Sequence, residues 1–159
     1  MKKMTDREAI AETLEHIMKV RDLLGGFAAD LLERGMLHDK SKMEHPELDG
    51  FKEFTPKLRS LTYGSPEYNE TLKEMEPFLR HHYENNSHHP EFYKDGIKGM
   101  DLLDLVEMFF DWQAAVTRSP NGDIRKSIEV MQKRFGFSDD LKSIFLNTVV
   151  SGEKKKKTS

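Results

Sequence analysis

The chain has 159 residues, a third of them charged, and a net charge of −3. That length suits one domain with a real hydrophobic core, and the balanced charge lacks the basic excess of a nucleic-acid footprint. It has no cysteine, so disulfides and thiolate metal sites are excluded, and no run approaches the roughly 18 apolar residues of a membrane span. The expectation is a cytoplasmic protein that keeps away from membranes.

The pattern is helical throughout. Thr5 followed by Glu8 has the spacing of a capping box, and Ile10, Leu14, Ile17, Leu24, Ala28 and Leu31 recur at helical intervals. Gly25-Gly26 is a place for this helix to bend, and Gly35 a place for it to stop before Met36-Leu37-His38. A short helix is expected over 47–54, a turn-rich passage over 55–66, and a longer helix from Pro66 to Tyr83. Asn85-Asn86-Ser87 and 90–99 read as loop. Residues 101–117 form the most apolar helix, followed by helices over 123–135 and 138–149, the last capped by Ser138. No segment alternates with period two for long enough to be a strand. The expected fold is all-α: a single-domain bundle of about six helices over residues 5–150, then a disordered basic tail over 151–159.

Five of the seven histidines adjoin another histidine or an aspartate, in His38-Asp39, His81-His82 and His88-His89. Imidazole and carboxylate are the usual donors to zinc, manganese and iron, so this density points to metal. His82 continues the ridge Leu72, Met75, Leu79 and is expected to face inward, with His81 more peripheral. His88 and His89 fall in a loop, where Pro90 favours extended backbone at His89; without a ligand they are a solvated cluster. At about 100° per residue, Asp101, Asp104, Met108, Asp111 and Ala115 share one narrow face of an otherwise apolar helix. Burying such acids calls for a cation, whereas an amphipathic helix would simply wet them. His16 flanks the first apolar stripe; alone it reads as a boundary histidine, and His38-Asp39 alone as an exposed histidine beside a helix-capping aspartate.

In order, His16…His38-Asp39…Asp104 resembles the HD superfamily of metal-dependent phosphohydrolases. His38-Asp39-Lys40-Ser41-Lys42 is similar to the superfamily's His-Asp-x-Gly-Lys, with Ser41 in place of glycine. His88-His89-Pro90-Glu91 and Asp95-Gly96-Ile97-Lys98-Gly99 resemble a loosened form of the HD-GYP phosphodiesterase motifs, without the Tyr-Pro ending. The span Thr13 to Val149, above all Asp104 to Met108 with Asp111-Trp112, is similar to short HD-like proteins frequent in phages and bacteria, a resemblance that brings no substrate.

The resemblance implies that His16, His38, Asp39 and Asp104 hold a first divalent metal (Mn, Fe, Co, Ni or Zn). His82, His88 and His89 would hold a second ion or meet substrate phosphate. Asp111 is the alternative to Asp104, and Lys42, Arg80 or Arg118 would neutralise phosphate oxygens. The activity expected is hydrolysis of a nucleotide or another small phosphate ester by metal-activated water, with Asp39 and Lys42 at the chemistry. A di-iron oxygenase suits the same ligands, and a non-catalytic nucleotide- or protein-binding module is the third possibility.

Overall fold

The computed structural model describes residues 3–62, 64–118 and 122–156, and among them there is no strand. The all-α expectation holds. The chain divides into two units, Met1–His38 and Asp39–Ser159.

The first unit is a single helix, α1 (Asp6–Leu37), started by the Thr5–Glu8 capping box in which each residue's side chain binds the other's backbone N–H. The helix runs unbroken through Gly25-Gly26, and the stop expected at Gly35 does not occur. Glycine is disfavoured in a helix but not forbidden, and the Leu, Ala, Arg and Glu around these positions are good helix formers.

The second unit begins with a 3₁₀ turn at Lys40–Met43 and continues through α2 (Glu47–Ser60), α3 (Pro66–Glu74) and α4 (Glu76–Asn85). Two 3₁₀ turns, Pro90–Phe92 and Gly96–Gly99, lead to α5 (Leu102–Val116), α6 (Ile124–Phe135) and α7 (Asp139–Lys156). Helix α2 runs six residues past the expected Phe54, straight through Pro56. The expected helix over 66–83 is instead two, parted at Met75, because Pro77 brings no N–H and its ring crowds the preceding turn. This break makes seven α-helices among the described residues instead of six. Ser138 caps α7 as expected, accepting from Leu141 N, and Asp123, where a helix was expected to start, caps α6 by accepting from Arg125 N. Helix α7 continues to Lys156, beyond the tail boundary expected at 151, since Glu153 and the lysines favour helix; residues 157–159 lie outside the described residues.

The core is built where α5, α6 and α7 meet: Met108, Phe109, Trp112, Ile128, Phe137, Phe145 and Val149 are all buried. Phe109 stacks on Phe145 with centroids 5.1 Å apart, and Trp112 on Phe137 at 6.2 Å. Each such side chain stabilises the fold by about 1.5–3 kcal/mol on burial. This packing fixes α5, and with it the acidic residues along its edge. On the other side, α2 packs on α4. Gly50 makes that approach close: a Cβ there would stand 2.3 Å from Phe78 Cγ. Among the described residues, no helix is long and apolar enough to cross a membrane.

Candidate metal centre

Four side chains from three segments of the second unit converge. Asp39, His82, His88 and His89 each offer a ligand atom, and these atoms all lie within 4.8 Å of one another. Asp39 stands just before the 3₁₀ turn in left-handed backbone (φ 55, ψ 19), the one described non-glycine residue with positive φ. Asp tolerates that region better than most residues, and such strain concentrates at functional sites. His82 comes from the inward ridge of α4, buried as its spacing implies. His88 and His89 come from the loop after α4, with His89 in extended backbone before Pro90.

The outer nitrogens of two of these rings are held by carboxylates. Glu47, buried at the start of α2, places Oε2 2.8 Å from His82 Nδ1. Proton accounting fixes the tautomer. Asn86 uses both amide hydrogens on Ser41 Oγ (2.8 Å) and the His82 carbonyl (2.7 Å). Ser41 donates its hydroxyl proton to Glu47 Oε2 (2.9 Å). Neither is left to donate to His82 Nδ1, so that nitrogen carries the proton and donates it to Glu47. Glu47 Oε1 accepts in turn from His81 Nδ1 at 2.9 Å, which gives the half-exposed His81 its place. In the same way His88 Nδ1 lies 3.1 Å from Glu107 Oε1 on α5. Neutral rings protonated at Nδ1 present an Nε2 lone pair on the opposite side.

Those inner atoms have the spacing of a coordination shell. His82 Nε2 is 3.2 Å and His88 Nε2 3.5 Å from Asp39 Oδ1, and His82 Nε2 is 2.9 Å from His89 Nε2. Two atoms each about 2.1 Å from one ion lie about 3.0 Å apart at a right angle and about 3.4 Å apart at the tetrahedral angle. A histidine whose outer N–H is given to a carboxylate is the usual arrangement of a metal ligand.

The charges agree with that reading. Burial works against the Asp39 carboxylate, but the His82 and His88 rings and the ion-paired Lys42 beside it outweigh burial and hold the group well below the usual carboxylate range. His89 is pushed down to about 3, first by burial and then by the neighbouring His88 and His82, with the Asp111 charge opposing. A neutral imidazole and an ionised carboxylate are the forms that bind metal. Lys42 closes the group, ion-paired with Asp39 and lying 5.1 Å above the Phe51 ring.

The remaining expected residues lie elsewhere. Asp104 is buried, but its carboxylate accepts from Ser87 Oγ (2.7 Å), the Tyr93 hydroxyl and the Asp101 backbone N–H, as the far half of the capping box that starts α5. It is absent from the converging group. Asp111, two turns on, has a ligand atom within 4.8 Å of one on His88. On α1, 22 residues separate His16 from His38 at the helix's end. At about 1.5 Å per residue the two stand about 33 Å apart along one axis and do not share an ion within one chain. His16 lies beside Glu12, Glu15 and Lys19 on the exposed helix surface. Arg80 pairs with Glu76 at 3.9 Å and lines a cleft with Leu72, Leu79, Tyr83 and Arg134, while Arg118 is exposed beyond the end of α5.

Glu47 and Glu107 were not among the expected site residues. Glu107 had a signal, three residues from Asp104 and four from Asp111 on the same side of α5. Glu47 had none, being 35 residues from the histidine it holds.

A family profile, described as a family of unknown function, DUF5662, matches residues 5–152. No curated protein and no solved structure matches the chain.

Proposed function

The chain belongs to the DUF5662 family, and we propose that its Asp39–His82–His88–His89 cluster is a divalent-metal centre for hydrolysis of a small phosphate ester, a nucleotide among the candidates. The observation that carries this reading is the convergence of these four groups with the outer nitrogens of His82 and His88 held by Glu47 and Glu107. A stack of surface histidines has no use for buried carboxylates behind it. Bound there, a divalent ion supplies Lewis acidity and lowers the pKa of water from 15.7 toward about 7.

The chain's own residues supply the rest. Glu47 and Glu107 keep two imidazoles turned with their lone pairs inward, so no rotation is needed to take up the ion. Asp39 brings negative charge to the ligand set, and Lys42 beside it stands where a phosphate oxygen would need a cation. The likeness of His38-Asp39-Lys40-Ser41-Lys42 to HD-type phosphohydrolases supports the same chemistry.

The test uses full-length protein stripped with a chelator and reloaded with Mn²⁺, Zn²⁺ or Fe²⁺. Hydrolysis of bis(p-nitrophenyl) phosphate or p-nitrophenyl phosphate is expected only after loading. His88→Ala and Asp39→Asn should abolish it while the near-ultraviolet signal of Trp112 persists. A loaded, folded protein that turns over neither ester, or one that carries iron with a near-ultraviolet absorption band and no hydrolytic activity, overturns the proposal.

A further inference from the structure

A separate feature concerns α1. No residue of this 32-residue helix is buried. Ten of its large apolar residues are 40–78% exposed, from Ile10 at 60% to Met36 at 78%. A lone helix has nothing in its own unit against which to bury a stripe, and exposed apolar surface on this scale marks an interaction site.

The stripe has a particular period. Ile10, Leu14, Ile17, Arg21, Leu24, Ala28, Leu31 and Gly35 follow one another at alternating intervals of four and three residues. That 3.5-residue repeat over more than three heptads is the seam of a coiled coil, and it asks for another helix with the same seam. From this we propose that α1 is a self-association helix whose occupant is α1 of a second copy of the chain. The seam is complementary to itself, as a two-fold interface requires.

Area and charge point the same way. Seven of these side chains, Ile10, Leu14, Ile17, Met18, Val20, Leu24 and Leu32, lie in or beside the seam; at on the order of 100 Å² each they offer about 700 Å² per protomer, close to the about 800 Å² of a standard interface. Residues 6–37 carry seven acids against four bases, which disfavours an anionic membrane as the occupant. Gly35, within the seam, has open space where a Cβ would be and lets a partner helix approach closely there. Arg21, ion-paired with Asp22 at 2.8 Å, is the one charged residue in the seam. A charge at that position fixes register at a cost in stability.

Sedimentation equilibrium of the full chain tests this, and it does not depend on the metal reading. A dimer is expected at micromolar concentration. Leu24→Glu should raise its dissociation constant by at least about 100-fold. Leu23→Glu, off the seam, should leave it unchanged, and Arg21→Leu should tighten it. The Trp112 near-ultraviolet signal confirms that each variant remains folded. A wild-type monomer at 100 µM, a Leu24→Glu dimer as tight as wild type, or a monomer that floats with phosphatidylcholine or phosphatidylserine vesicles overturns the proposal.

Discussion

Glu47 Oε2 and His82 Nδ1 are 2.8 Å apart although 35 residues separate them in sequence, and both side chains are buried. This pair sets which face of the His82 ring carries its lone pair. In Glu47→Gln the amide oxygen can accept from one histidine, but its NH₂ then confronts the other donor. We expect metal affinity to fall about 10- to 100-fold, the range for loss of such a supporting carboxylate. Stability should fall by about 1–3 kcal/mol, because a buried N–H loses its acceptor. Metal titration calorimetry and urea unfolding measure the two separately. Unchanged affinity in a destabilised variant would mean that Glu47 only holds the fold.

Asp39 combines an unusual backbone with a ligand, and substitutions can separate the two. At φ 55, glycine fits without strain, asparagine fits nearly as well as aspartate, and a β-branched residue does not. Asp39→Gly and Asp39→Asn should therefore keep their helical circular dichroism yet lose metal binding by about 100-fold or more, as expected for removal of a charged ligand. Asp39→Val should lose both and melt below the glycine variant. The order of melting temperatures decides it: valine at or above glycine contradicts the backbone argument.

How much of this was legible in the sequence follows the range of the interactions. The caps at Thr5 and Ser138 are local, with donor and acceptor three residues apart, and were readable as spacing. The inward face of His82 was readable from the Leu72, Met75, Leu79 ridge because helical period reports burial directly. Asp104 and Asp111 share a stripe, and the Asp101–Asp104 cap is local, but the bonds from Ser87 and Tyr93 that further occupy the Asp104 carboxylate come from a loop 17 and 11 residues earlier. Continuity of α1 through Gly25-Gly26 was illegible for another reason. Helix propensity counts against glycine by only about 1 kcal/mol per residue, and neighbours can outweigh it.

The close crossing of α2 and α4 rests on Gly50. Its missing side chain leaves room for Phe78, whose Cγ would lie 2.3 Å from an alanine Cβ. Gly50→Ala must push the helices apart and should destabilise by about 1–3 kcal/mol, as overpacking does. Because Glu47 is one turn before Gly50, the displacement should also weaken metal binding. Adding Phe78→Leu should restore part of both. A Gly50→Ala protein with wild-type urea midpoint and metal affinity would show that the crossing relaxes freely.

Tyr93 donates its hydroxyl to Asp104, and its pKa is pushed up to about 12 by burial, the hydrogen bond and the Asp104 charge. The folded protein thus holds this proton more tightly than the unfolded chain, where a tyrosine titrates near about 10. The contribution to stability is complete below about pH 10 and is lost as pH rises from there to about 12. Phenolate absorbance at 295 nm should show a late-titrating group in the wild type that is missing from Tyr93→Phe. The urea midpoint of wild type should approach that of Tyr93→Phe between pH 10 and 12, whereas at pH 8 the wild type should be the more stable. If the two proteins give the same titration curve between pH 9 and 12, the Tyr93–Asp104 bond does not set the entry to α5 in the way described.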